Sequence, residues 1–375
     1  MSEPAAEPTR PVGGGALRMA GLVDGGKVRQ VRCLLSGVGH VGRRLLDLIR
    51  LKTAYLRTAR RLELVLVGVA DSSGAAAFPE GLDLSAIVTR KVEGLGVAGL
   101  PLYGTPGRTT LDLLESVDAD LLFEASPPNL RDGQPALQWV EAALERGMHV
   151  VLANKAPLIH GYSTLVRLAA NRDVQLRFDA TVAGGLPVIN LGQRDLAGAE
   201  ITLLEGVLNL TTSLILGGME ERGLSPAQAL AEAQAAGHAE TDPQLDVEGW
   251  DAAVKLVILA QSVLGMPAEL SDVAVKGIAL VTAEMLKQAA AEGRRVRLVA
   301  RAERAGSSYR LSVRPIPLPL SHPLAQLSPQ QMGIVFHTDV CGAITAAICE
   351  ETPLPTAFAM LRDLLGVYAC SGVDP

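Results

Sequence analysis

The sequence predicts an α/β protein of two domains: a doubly wound parallel sheet, then an α+β unit whose sheet is mostly antiparallel. Three observations predict it. A short apolar run breaks into GVGHVG and a helical pattern; apolar runs and helical patterns then alternate as far as Lys155; and from Val296 onward strand patterns flank turns directly, without intervening helices.

With 375 residues, the chain is long enough for two cores, and its 48% hydrophobic and 20% charged content rules out global disorder. The net charge of −6 leaves no basic footprint for nucleic acid, and no stretch approaches eighteen uninterrupted apolar residues, so neither a nucleic-acid partner nor a membrane span is expected. Cys33, Cys341, Cys349 and Cys370 show neither CxxC nor metal spacing, and they read as reduced thiols of a cytoplasmic protein. Residues 1–28, rich in Pro, Ala and Gly, lack the apolar centre of a secretory signal and read as a flexible arm.

The first domain is expected over 29–180. Val31 to Gly37 is a strand, and Gly37, Val38, Gly39, His40, Val41 and Gly42 follow it, with Leu45, Leu46 and Ile49 at helical spacing. Strand before and helix after make this GxGxxG a dinucleotide fingerprint of the Rossmann type: Gly37 for the tight turn, Gly39 for close approach to a pyrophosphate, Gly42 for helix–strand packing. The strand LELVLVGVAD ends at Asp71, a carboxylate for a ribose diol, although the spacing exceeds the usual ~20 residues; Ser72, Ser73, Arg90 and Lys91 keep a 2′-phosphate open. Asp71 also reads as a plain strand-end turn residue. Ser126, Asn154 and Lys155 follow the ends of later strands, where open α/β sheets bind ligands.

The second domain is expected over 181–352. VQLRFDATVAGGLPVIN reads as a strand, a Gly-rich turn and a Pro-started helix; ITLLEGVLNL is a strand feeding a helix at Thr211 or Thr212; and Ser225, Pro226 and Gln228 form a capped helix start. VRLVARAE and SYRLSVRPIP form a hairpin, with MGIVFHTD and AITAAICEE as further strands, and the open sheet face suits pairing with a second copy. The C-terminal helix, from about 353, packs back on the first domain.

The most informative stretch is Gly237 to Lys255, GHAETDPQLDVEGWDAAVK. Its acids precede a helix, AAVKLVILAQSVL, with almost no polar face, so Lys255 is carried into apolar surroundings that disfavour its charged form and suit proton exchange. Asp251, four residues earlier, shares its face. The plain alternative is a solvated pair with Asp251 as N-cap.

GVGHVG, ASPPN, VVLANKAPL, ATVAGGLPVI, GVLNLTTSLIL, AGHAETDPQLDVEGWDAAVKLVILA and PTAFAMLRDLL occur in an order and spacing that resemble homoserine dehydrogenases from about Val31 to Val367. Those enzymes interconvert aspartate 4-semialdehyde and homoserine with NADPH or NADH. The resemblance implies Lys255 as acid/base, Asp251 as its orienting carboxylate and Lys155 at nicotinamide and substrate. It places Glu240, Asp246 and Thr211 on the substrate, and a sodium-like ion on Asp179, Val182, Gly184 and Leu186, with Asp179 standing where Glu is usual. NLTTS replaces NGTTN, His238 replaces an apolar residue and EETPLPTA replaces a Gly-rich run. A homodimer is implied, and no regulatory ACT domain is expected after Pro375.

Three other readings compete. A non-catalytic NAD(P) sensor on the same fold needs the glycines and has no use for Lys155, Glu240, Asp251 and Lys255 together. An aspartate-semialdehyde dehydrogenase needs an activated cysteine, and none of the four sits at a helix start or beside a base. A paralogue for another amino-aldehyde stays open through Leu210, Ser213 and His238.

Overall fold

A computed structural model of the chain describes residues 27–236 and 242–369. The predicted arm therefore lies almost wholly outside the described residues, and so do Glu240 and His238.

The first sheet is built from β1 (Arg29–Ser36), α1 (His40–Ala59), β2 (Leu62–Asp71), β3 (Gly74–Ala77), α2 (Leu84–Val92), β4 (Gly104–Pro106), α3 (Thr110–Ser116), β5 (Leu121–Glu124), α4 (Ala136–Glu145), β6 (His149–Leu152), α5 (Ala156–Asn171) and β7 (Leu176–Arg177). Its order is β4-β3-β2-β1-β5-β6-β7. β2, β1, β5, β6 and β7 run parallel, and β3 and β4 add an antiparallel edge that the sequence pattern does not announce. Strand order reverses between β2 and β5 on either side of β1, which opens a crevice beyond the carboxyl ends of β1 and β5.

β7 is far shorter than the run VQLRFDA suggests. At Asp179 the chain leaves the sheet in a 3₁₀ turn, Asp179–Thr181, because that buried carboxylate serves as an anchor. It accepts bonds from the Ile189 amide (2.9 Å), Asn190 Nδ2 (2.6 Å) and Arg362 (2.6 Å). The Pro-started helix is also short: α6 (Val188–Asn190) passes into a π turn, Leu191–Asp195.

The second unit comprises β8 (Ile201–Val207), α7 (Leu210–Arg222), α8 (Pro226–Ala235), α9 (Gln244–Val247), α10 (Trp250–Ser262), β9 (Val273–Val275), α11 (Ala283–Ala291), β10 (Arg294–Ala305), β11 (Ser308–Pro319), β12 (Gln331–Thr338) and β13 (Gly342–Cys349). The sheet order is β13-β12-β8-β10-β11-β9, antiparallel throughout except for the short β9 beside β11. Alternation places Leu204, Ala300, Ala302, Ile334 and Phe336 on a buried face against α7, α10 and α11. Glu205, Arg301, Glu303 and Arg310 lie on the opposite face, part of which is covered by the 3₁₀ turn Pro323–Ala325 packed over Val207, Val299 and Val335. Among the described residues no helix is long and apolar enough to cross a membrane.

Two elements set the position of the functional groups. α10 buries Ala252, Ala253, Val254 and Leu256 to Ala260, and each of its large apolar side chains contributes ~1.5–3 kcal/mol. Its N-cap is Gly249, held at φ +89°, so Asp251 lies within the first turn and is not the cap. The last helix, α12 (Leu354–Ala369), packs on α1 and fills the core beneath the first sheet with Ala357, Met360, Leu361 and Leu364, as the sequence suggests.

α12 also carries Asp363, whose carboxyl accepts the Asp179 amide (2.8 Å). Burial, and then the charge of Asp179, push its pKa up to about 7. The folded state thus binds a proton that the unfolded chain releases near pH 4, so this group's contribution to stability falls as pH rises from about 4 to about 7 and is level above. Melting Asp363→Asn and wild type across this range is expected to show the variant gaining relative stability up to neutral pH and no further.

Candidate active site

The glycine turn is determined by contact. Gly37 has φ +89°, and a Cβ there would stand 2.4 Å from the Ser126 nitrogen; a Cβ on Gly42 would stand 2.1 Å from the Gly37 carbonyl. Both contacts leave room only for hydrogen. A Cβ on Gly39 would meet nothing within 4 Å, so this residue faces open space. Gly39 is the N-cap of α1 and offers no side-chain cap, which leaves the first amides of a 20-residue helix, His40, Val41 and Gly42, available to an anion. Turn and helix start therefore fit a dinucleotide pyrophosphate.

Asp71 ends β2 as expected, but its carboxylate is already engaged by Lys91 Nζ (2.7 Å), the Ser73 hydroxyl and amide, and the Val97 amide (3.2 Å). Burial raises its pKa, and these bonds, Lys91 first, outweigh that and hold it low. The end of β2 thus carries an ammonium and a hydroxyl beside the carboxylate.

Lys155 follows β6 at the start of α5, and Lys255 lies on α10; Asp251 joins them. Lys155 Nζ bonds Asp251 Oδ1, and Lys255 Nζ stands 2.7 Å from Asp251 Oδ2. Lys255 also donates to the Leu208 carbonyl at 2.6 Å. The three side chains are only 13–19% exposed. Burial by itself would raise the Asp251 pKa; the charges of Lys155 and Lys255 and their hydrogen bonds reverse this and hold it well below the usual carboxylate range.

The signal missed in the sequence is Asn209. Its amide Nδ2 donates to Asp246 Oδ1 (2.6 Å) and to Asp251 Oδ2 (2.8 Å), while its Oδ1 caps α7 by accepting the Thr212 amide (2.9 Å). An N-cap Asn before TTS was readable, but its second use, as a tie between two acids 37 and 42 positions away, was not. Thr211 sits one residue into the same helix and borders the cleft.

That cleft measures about 420 Å³ and runs from His40 and Val41 past Lys155 and Thr181 to Asn209, Thr211 and Lys255. Glu350 and Thr356, also missed, close its far wall, with the Glu350 carboxylate packed over Gly184 and accepting the Thr356 hydroxyl (2.8 Å). Burial raises the Glu350 pKa. The start of α1, the lysine pair, Asn209 and Thr211 thus face one space. A cavity of about 470 Å³ lies elsewhere, around Glu200, Arg304 and Tyr309, away from these groups. None of Cys33, Cys341 and Cys349 lines the cleft.

Two donor clusters bear on metals. Asp179 has its carboxylate committed as described above, and the Leu186 carbonyl accepts the Val188 amide (2.8 Å), so any cation beside Val182 and Gly184 relies on backbone carbonyls. Glu205, His322 and His337 meet on the second sheet beside the 3₁₀ turn Pro323–Ala325. There Nδ1 of His322 accepts the Leu324 amide, so in the neutral ring Nε2 holds the proton and faces Glu205 (3.2 Å) as a donor, not as a metal ligand.

Residues 187–365 match the family model described as homoserine dehydrogenase. Homoserine dehydrogenase of Methanocaldococcus jannaschii is 36% identical over 89% of this chain and 98% of its own length. The NAD(+)-dependent homoserine dehydrogenase of Pseudomonas canavaninivorans is 36% identical over 90% of this chain and 96% of its own. Among solved structures, a putative homoserine dehydrogenase from Archaeoglobus fulgidus superposes with a TM-score of 0.80 at 35% identity, covering 90% of this chain and 99% of that one. A hyperthermophilic archaeal homoserine dehydrogenase in complex with NADPH gives a TM-score of 0.78 at 27% identity, covering 91% and 98%. On the strength of relatives this similar across nearly its whole described length, the chain belongs to the homoserine dehydrogenase family.

Proposed function

We propose that the chain catalyses reversible hydride transfer between L-homoserine and L-aspartate 4-semialdehyde, on the route to threonine, methionine and isoleucine. The single observation that carries this reading is the Lys155–Asp251–Lys255 cluster at the mouth of the nucleotide crevice. NAD or NADP, when bound, supplies or accepts the hydride. Lys255 gives the proton to the oxygen during reduction and takes it back during oxidation; two of its N–H groups go to Asp251 and Leu208, which aims the remaining one. Lys155 adds positive charge where negative charge develops, and Asp251 fixes both ammonium groups.

Asp246 and Glu240 are assigned to the substrate ammonium and Thr211 to its carboxylate end, with Asp246 oriented by Asn209. The pyrophosphate is assigned to Gly37 through Gly42, with Ser126 behind them and Asp71 at the ribose. A monovalent cation at Asp179, Val182, Gly184 and Leu186 belongs to the same reading, held by carbonyl oxygens. Residues 29–180 with the helix after 353 are taken as the nucleotide-binding domain and 181–352 as the substrate domain. The edge strand β13, with Thr345, Ala347 and Cys349 exposed, supports a homodimer. The cytoplasm is the proposed location.

Two substitutions test the chemistry. Steady-state rates with homoserine and either NAD or NADP are expected to drop ~100-fold or more in kcat for Lys255→Ala, with cofactor binding retained. Wild-type protein that binds cofactor yet turns over neither homoserine nor the aldehyde would sink the proposal in favour of a sensor. Asn209→Ala removes the hydrogen bonds that orient Asp246 and Asp251, and a loss of ~1.5–3 kcal/mol in the transition state is expected to lower kcat/KM by ~10- to 100-fold. A loss under threefold would mean that Asp246 and Asp251 hold their places without it.

A further inference from the structure

The proposed chemistry uses the groups at the ends of β5 and β6 but leaves one buried acid between them unexplained. Glu124, the last residue of β5, is 0% exposed and has no basic side chain among its hydrogen-bond partners. Its Oε1 accepts from the Ser126 amide (3.0 Å), the Ser126 hydroxyl and Asn154 Nδ2 (3.2 Å). Asn154 Nδ2 also reaches the Ser126 hydroxyl (3.1 Å), and Asn154 Oδ1 accepts the Ala156 amide (3.0 Å) at the start of α5. Lys155 is the residue between Asn154 and Ala156, so its backbone is held on both sides by this network.

The other end of the network is the glycine turn. The Ser126 nitrogen lies against Gly37, and the Ser36 hydroxyl, which accepts from Thr110 Oγ1 (3.0 Å), stands beside the Glu124 carboxyl. Glu124 Oε2 makes no hydrogen bond of good geometry. One carboxyl therefore touches all three segments that carry the site's ligand-facing groups on this side: the turn after β1, the loop after β5 and the residue before Lys155.

We propose that Glu124 is a positioning residue for hydride transfer, setting the loop at Ser126 and the backbone of Lys155 in register with the glycine turn that holds the dinucleotide. The proposal rests on the assignment of Lys155 and the glycine turn made above. Glu124 does not touch the reacting atoms; it acts through Ser126 and Asn154. Three donors converge on Oε1, and burial raises the carboxyl's pKa against the hydrogen bonds that lower it. Glutamine has the same shape and keeps Oε1 as acceptor for the same three donors.

The test compares Glu124→Gln, Glu124→Ala and Asn154→Ala with wild type by melting, by fluorescence titration with NADPH and by steady-state homoserine oxidation. Groups that orient a ligand from behind typically account for 10- to 100-fold in affinity or activity. Glu124→Gln is expected to stay within ~3-fold of wild type in NADPH affinity and in kcat, with an unchanged pH profile. Glu124→Ala and Asn154→Ala are expected to lose ~10-fold or more in kcat at saturating cofactor, beyond any change in melting, and Glu124→Ala to weaken NADPH binding as well. If Glu124→Ala does not fold, Asn154→Ala and Glu124→Gln decide the matter. The proposal is overturned if either alanine variant keeps kcat within ~3-fold, or if Glu124→Gln is as damaged as Glu124→Ala. Should wild type bind NADPH and turn over nothing, the assigned reaction fails, while the effect of the variants on NADPH affinity still decides the role of Glu124.

Discussion

Asp251 carries the constraint on which the site depends. A buried carboxylate is costly unless its charge is met, and here two ammonium groups from different layers meet it: Lys155 at the start of a helix beside the first sheet, Lys255 one turn along a helix beneath the second. Neither lysine has its place without the acid, and the acid is tolerated only with both. The two sheets are thereby held at a relation in which the crevice of one opens onto the lysines of the other. Asn209 extends this outward, because its amide spans Asp251 and Asp246 while its side-chain carbonyl oxygen starts α7.

Around that centre, rigid elements do the positioning. α10 is apolar on nearly every side and is locked by burial, so packing places the backbone of Lys255, and the bonds to Asp251 and Leu208 then aim its ammonium group. The glycine turn is fixed by backbone-to-backbone contact at Gly37 and Gly42. Loop residues such as Asn209 and Ser126 then need only short reaches, and each has more than one hydrogen bond to limit its freedom.

Much of this was legible in the sequence, for definable reasons. The glycine fingerprint and the strand–helix alternation have fixed periods, so the first sheet and its crevice followed; the apolar helix around Lys255 and the i, i+4 acid also followed. What escaped depends on long-range pairing. The β3–β4 edge consists of runs of three and four residues with no alternation to detect. β7 was overestimated because Asp179, an acid in an apolar run, proved to be an anchor for Arg362 and Asn190 and turned the chain out of the sheet. Asn209 and Glu350 gave no separate signal, since a cap and a loop acid look alike whether or not they face a cleft.

The C-terminal helix has a consequence for how the molecule comes into being on the ribosome. α12 completes the core beneath the first sheet, beside α1, although these segments come from opposite ends of the described chain. Until α12 has been synthesised, the apolar side of α1 and β1 that receives Met360, Leu361 and Leu364 has nothing to cover it. The nucleotide-binding half therefore emerges first and is finished last, while the second unit, whose strands all pair locally or with one another, can close before it. A nascent chain stalled before α12 would present an exposed apolar groove to chaperones, and would acquire tight nucleotide binding only as its final helix leaves the exit tunnel.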